Sequence, residues 1–303
     1  MLLEYQTITE VGPNMKKTSL LSVLVAGGIL LTGCGNAEEA KKEDKPATAQ
    51  TEPAVQEVDL STELSAYQQF ALEQMDQFLL ETEKFVNLFK AGDIEGAKAA
   101  YAPARMYFER SEPIAESFGD LDPRIDGRLA DIQEEGKGEE EWSGYHKLEH
   151  ALWVENTTKG FEVVADQLLA DAKELHALVQ TVEVTPDLMI TGAVDLLNEV
   201  STSKITGEEE IYSHTDLYDF KANIEGAEKI FEILRSKLEA KDQKLVTTLD
   251  EKFKAVDDLL AQHATADGGY VSYEELTEDH TKALAAAVNQ LGEPLSQMGI
   301  ILE

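Results

Sequence analysis

The chain has 303 residues, 43 % of them hydrophobic, which is enough to bury a sizeable core in one large domain or two small ones. Its 59 Asp and Glu against 26 Lys and Arg give a formal net charge of -33, a surface that repels nucleic acid and anionic lipid headgroups and attracts cations without selecting among them. A single cysteine excludes an intrachain disulfide and a cysteine zinc cluster, so packing must hold the fold together.

Residues 1–34 read as an address. Met15-Lys16-Lys17 has the character of a true start, with Met1 to Asn14 as an upstream extension and the two lysines as a positive n-region. Thr18 to Leu31 is an apolar run of signal-peptide length, short for a bilayer span. It ends in Leu31-Thr32-Gly33-Cys34, which resembles a bacterial lipobox, so Cys34 is the expected site of lipidation. Residues 35–59 are rich in Glu, Lys, Ala, Thr and Pro without apolar periodicity and read as a flexible, solvated tether. Contact with the membrane is then expected through the lipid anchor alone, on the extracytoplasmic face.

From residue 60 to 303 the period is helical. Leu64, Tyr67, Ala71, Met75, Phe78, Phe85 and Phe89 recur at three- and four-residue steps and predict one long helix with a single apolar stripe. Gly92-Asp93 ends it and can cap the next, predicted over Ile94 to Phe118 with a kink or break at Pro103 or Pro113. Asp120 to Arg128 reads as a turn, and Trp142 to Val154 as a short helix. Further helices are expected from Gly160-Phe161 to Val184, Pro186 to Val200, Asp216 to Leu234, Lys244 to Gln262 and Leu276 to Met298. Period-two alternation is lacking. Seven to nine helices with short connections predict an all-α protein, two bundles in one body that meet near residue 185.

The stretch Gly144-Tyr145-His146-Lys147-Leu148-Glu149-His150 carries the most chemistry. On a helix, His146 and Glu149 share a face, and an imidazole beside a carboxylate can grip one metal ion. The same letters fit H-x-x-E-H, in which His146 and His150 would bind zinc and Glu149 would be the general base of a peptidase. The two readings give Glu149 and His150 opposite roles. Upstream, Glu109, Glu112 and Glu116 follow helical steps and would share one face, and Asp120, Asp122 and Asp126 lie in the turn that follows. One imidazole among carboxylates is a hard donor set that suits iron or manganese and would also accept zinc or copper. His214 and Asp216, in Tyr212-Ser213-His214-Thr215-Asp216, could form a second polar site, or Ser213 or Thr215 could simply cap a helix there. His176, His263 and His280 read as isolated surface residues.

Together these residues resemble a known family. Arg105, Tyr107, Glu109, Glu112, Pro113, Phe118-Gly119-Asp120-Leu121-Asp122, Asp126, Arg128, Trp142, Gly144, His146, Glu149 and Trp153 look like the signature of the imelysin-like, HxxE-containing family. Tyr212 to Phe220, with Ala222, Asn223 and Gly226, resembles a second signature of its EfeO/EfeM group. The resemblance covers residue 60 to the C-terminus. It implies two four-helix bundles packed as one body. It also implies a metal site of His146 and Glu149 with Glu109, Glu112 and Asp126 as companions, and a role in iron uptake beside a membrane permease and a secreted haem peroxidase. Some members carry an N-terminal cupredoxin domain; only the short tether precedes the bundle here, so no copper redox role is expected. The competing expectations are an anchored zinc peptidase and a polyanion- or polysaccharide-binding module that uses metal as a bridge; the charge of -33 argues against direct anion binding, which a bound metal could mediate.

Overall fold

Gly92 and Asp93 show how the helices are set end to end. Gly92 adopts φ 77°, its amide closes the first helix on Phe89 O at 3.0 Å, and the Asp93 side chain accepts the Gly96 amide at 3.0 Å to open the second. A computed structural model describes residues 58–302. The address, Cys34 and nearly all of the tether lie outside the described residues. The elements are α1 (Ser61–Ala91), α2 (Ile94–Glu109), α3 (Glu112–Glu116), α4 (Leu121–Asp126), α5 (Leu129–Glu134), α6 (Gly144–Trp153), α7 (Glu162–Val179), α8 (Pro186–Thr202), α9 (Asp216–Lys241), α10 (Gln243–Leu260) and α11 (Glu278–Leu302). No β-strand occurs among the described residues.

The stripe predicted on α1 is buried from Tyr67 to Phe89, with Leu64 only half-buried. It packs on α2 and α7, and the short α4 and α6 close that cluster. Helices α8, α9, α10 and α11 pack on one another as a second cluster, and α9 also lies against α2 and α1, so it is a wall common to both. Thr185 caps α8 by accepting the Leu188 amide at 3.1 Å, with Pro186 at the first helical position.

The structure departs from the sequence expectation in the middle of the chain. Pro103 is accommodated inside α2, but the predicted helix 94–118 breaks at Arg110-Ser111, just before Pro113. The three acids expected on one face are therefore divided: Glu109 ends α2, Glu112 opens α3, and Glu116 is exposed. Asp120 to Arg128 is not a plain turn; it winds into α4, because Pro123 falls in the first turn where no amide is needed. Asp131 accepts the Arg128 amide at 3.3 Å and starts α5, which no apolar period announces. These short pieces raise the count to eleven α-helices among the described residues, against seven to nine expected.

Gly226 fixes how closely α9 approaches the break after α2. A Cβ there would fall on the Arg110 carbonyl and on Leu196. Gly226→Ala should therefore destabilise the protein by about 1–3 kcal/mol through overpacking. Thermal unfolding followed by circular dichroism measures this, and an unchanged midpoint would contradict the close contact.

Candidate metal centre

Helix α6 starts tightly against the end of α4. Gly144 has φ 83°, and a Cβ there would strike the carbonyl of Ile125. This contact turns the His146 and Glu149 face of α6 into the body, where His146 is 2 % exposed and Glu149 0 %. It also brings Asp126, the last residue of α4, beside the imidazole. Tyr145, the neighbour of His146 in the chain, belongs to a buried aromatic cluster in which Phe85 stacks on it at 5.3 Å and Tyr101 meets it edge-on at 5.7 Å.

The imidazole sits between two pairs of carboxylates. Nδ1 is 3.2 Å from Glu149 Oε2 and 3.9 Å from Glu210 Oε1. Nε2 is 3.6 Å from Asp126 Oδ1 and 3.9 Å from Glu209 Oε1. Each side forms a set of three donors whose ligand atoms lie within 4.8 Å of one another. Nε2 is buried and has no hydrogen-bond partner among the described residues. Glu149 is fixed from behind, since its Oε1 accepts the amides of Tyr212 at 3.0 Å and Ser213 at 2.7 Å. Those amides are aimed by the turn at 209–216, in which His214 adopts φ 58° and its amide donates to Glu210 O at 2.8 Å.

Two fully buried cations hold the surrounding acids. Arg105 reaches Glu109 at 2.7 Å, Glu210 at 2.8 Å and Asp219 at 3.5 Å, and also pairs with Asp126. Lys204 lies 3.3 Å from Glu209, 3.4 Å from Glu109 and 3.6 Å from Glu199. Acids still outnumber cations: both Asp219 oxygens and Asp216 Oδ2 lack a hydrogen-bond partner among the described residues. Burial therefore pushes the Glu149 and Glu210 carboxyls up to about 7 and Asp216 up to about 6. Burial also lifts Asp122 to about 7, and Glu112 and Asp219 well above the usual carboxylate range. Glu209 is the exception. Burial opposes its ionisation, but the Lys204, Arg128 and Arg105 charges outweigh it and hold the carboxyl at about 2. Burial and the Arg105 charge keep His146 below its ordinary value, so it is neutral at physiological pH, as a ligand must be.

Two cavities open onto this cluster. One of about 330 Å³ is lined by Arg128, Trp142, His146, Glu149, Glu209 and Tyr212. The other, about 240 Å³, is lined by Glu112, Asp122, Asp126, Arg128, Glu199 and Glu209.

His146 thus has Asp126 on its Nε2 side and Glu149 on its Nδ1 side, in two separate donor sets. Glu109 is close but occupied by Arg105, Lys204 and the Asn223 amide at 3.1 Å, while Glu112 lines the second cavity. His214 and Asp216 do not form a second site. His214 turns towards Glu274 at 3.7 Å, and Asp216 accepts the Glu210 amide at 3.1 Å. His150 is half-exposed, packed edge-on against Tyr212 at 4.9 Å and 3.4 Å from Glu155, and belongs to neither donor set. His263 and His280 are not isolated, since their rings meet at 4.8 Å; His176 pairs with Asp76 at 2.6 Å. No sequence pattern assigns a role to Glu209, Glu210 or Lys204. The only hint was the run Glu208-Glu209-Glu210 directly before the Tyr212 signature.

The raised carboxyls fix the sign of a pH effect. In the unfolded chain Glu149 and Glu210 release their protons near 4.5, but in the folded metal-free protein only near 7, so folding is favoured at low pH and that gain is lost as pH rises through this window. His146 acts in the opposite sense but contributes one proton against several. The metal-free protein should melt at a lower temperature at pH 8 than at pH 5.5, and Glu149→Gln should flatten the difference. Scanning calorimetry at the two pH values checks this; a higher midpoint at pH 8 would contradict it.

Known proteins fit this architecture. The imelysin family profile, whose description also carries the peptidase M75 label, matches residues 63–298. An Efem/EfeO family lipoprotein of Staphylococcus haemolyticus is 50 % identical over 294 residues, covering 95 % of this chain and 100 % of that relative. Another, from Staphylococcus aureus, is 55 % identical over 249 residues, 81 % of this chain and 86 % of the relative. The chain belongs to the imelysin family and, within it, to the Efem/EfeO lipoproteins.

Proposed function

We propose that the protein captures iron outside the cell membrane and passes it to a membrane permease, with a secreted haem peroxidase in the same system. The observation that carries this reading is the buried His146 Nε2, which has no partner among the described residues and faces Asp126 and Glu209. A buried polar atom without a partner is costly, and a cation between these three donors removes the cost. With its proton on Nδ1, His146 donates to Glu149 and offers the Nε2 lone pair to the ion, the usual way a carboxylate orients a metal-binding imidazole. In this arrangement Glu149 positions the ligand, Arg105 and Lys204 hold Glu109 away from the ion, and Glu112 adds charge to the adjoining cavity. The donors are hard, which favours iron; zinc and copper also fit them.

The lipoprotein names of the relatives support anchorage through Cys34 on the extracytoplasmic face. No helix among the described residues is long and apolar enough to cross a membrane. Binding is favoured over peptide hydrolysis because an H-x-x-E-H zinc site needs His146 and His150 on one ion, and His150 belongs to neither donor set.

Titration calorimetry of the full-length protein with iron(II), zinc(II) and copper(II) tests the proposal. His146→Ala and Glu209→Gln should each weaken binding by about tenfold or more, and His150→Ala by less than about twofold. Equal loss in His146→Ala and His150→Ala, with zinc preferred, would instead favour the peptidase reading.

A further inference from the structure

Three cations face the acids of the centre, and they are not equivalent. Arg105 and Lys204 are fully buried, each among several carboxylates. Arg128 has a side chain 29 % exposed, lines both cavities, and stands between them. Its guanidinium is shared. Nη1 lies 3.4 Å from Glu209 Oε2, while Nε and Nη2 each donate to Asp131, both at 2.8 Å. Its backbone is held. The Arg128 amide donates to Asp131 at 3.3 Å, and the preceding Gly127 carbonyl accepts the Trp142 indole at 2.8 Å. The side chain can therefore shift between two anions without moving the chain.

We propose that Arg128 is an electrostatic gate: in the metal-free protein its Nη1 holds Glu209 while Nε and Nη2 pair with Asp131, and when a metal ion takes Glu209 the Nη1 contact is released and the Asp131 pair is kept. This rests on the metal-capture reading of the same centre. Glu209 divides its oxygens between the two sides, with Oε1 towards Lys204 and His146 and Oε2 towards Arg128. An ion bound to Glu209 brings a like charge within a few ångströms of the guanidinium, and the two repel. Asp131 forms the two-pronged pair that arginine favours, and so supplies the resting place. Because Arg128 and Glu209 form part of both cavity walls, release of the Nη1 contact acts where the two cavities adjoin. Metal enters past Trp142 and Tyr212, and the guanidinium returns to Glu209 as the ion leaves, which favours release.

The test uses zinc(II) alone, as a redox-silent probe, with full-length wild type, Arg128→Gln, Asp131→Asn and the double variant. Affinity is read by titration and binding rate by stopped-flow tryptophan fluorescence, Trp142 lying in the cavity wall. Arg128→Gln removes the competing charge, so affinity should rise about tenfold and binding should be faster. Asp131→Asn leaves Arg128 with Glu209 alone, so affinity should fall about threefold. The double variant should match Arg128→Gln, because the lost partner no longer matters. Weaker binding in Arg128→Gln, or unchanged binding in both single variants, overturns the gate while leaving metal capture standing. Wild type that binds neither zinc nor iron removes metal capture, and the gate with it. Circular dichroism verifies folding; if Arg128→Gln is not helical, the fall expected in Asp131→Asn decides.

Discussion

Arg105 is the group on which the centre depends. It is fully buried, and its guanidinium pairs with Glu109 at the end of α2, Asp126 at the end of α4, Glu210 in the turn before α9, and Asp219 within α9. Desolvating one guanidinium costs several kcal/mol, and removing one partner from such a network costs about 3–5 kcal/mol, because the others stay buried without compensation. Four stretches of chain are thereby held to one point. The same ion draws together more negative charge than it can neutralise. Lys204 balances part of the excess, and Glu210 and Asp219, whose carboxyls burial raises, balance more by keeping their protons. What remains is a neutral imidazole with a bare nitrogen facing two acids, a demand for a further cation built into the fold.

The scaffold serves this imbalance. The aromatic cluster of Phe85, Tyr101 and Tyr145 packs against the Arg105 guanidinium, and the Tyr101 hydroxyl donates to Glu210 at 3.3 Å. Gly144 and Gly226 permit two close approaches, of α6 to α4 and of α9 to the end of α2. The turn at 209–216 delivers Glu209 and Glu210 and supplies the two amides that fix Glu149. On the proposed reading, capture and release involve small changes of protonation and one shared arginine, rather than rearrangement of helices.

Much of this was legible in the sequence, for identifiable reasons. The α1 stripe could be read because long helices with one buried face repeat their apolar residues faithfully, and the Gly92-Asp93 punctuation has one chemical meaning. His146 and Glu149 could be paired because three residues on a helix fix their common face. The breaks around residues 110–135 could not be placed, since helices of five or six residues are too short to show a period. Glu209 and Glu210 were hidden for a different reason. In a chain with 59 acids, a run of three glutamates in a connection looks like solvated surface, and only the fold shows two of them buried against Arg105 and Lys204. The edge-on contact of His263 with His280 depends likewise on a loop returning to the start of α11, which no local pattern encodes.

The central claim is that one imidazole and several carboxylates hold the metal, with His146 alone supplying nitrogen. X-ray absorption fine structure at the iron edge of the loaded full-length protein addresses it most directly. The account predicts a shell of oxygen donors with the scattering of a single imidazole, and loss of that imidazole signal in His146→Ala. Two imidazoles in the wild-type shell, or an unchanged nitrogen signal in His146→Ala, would contradict it.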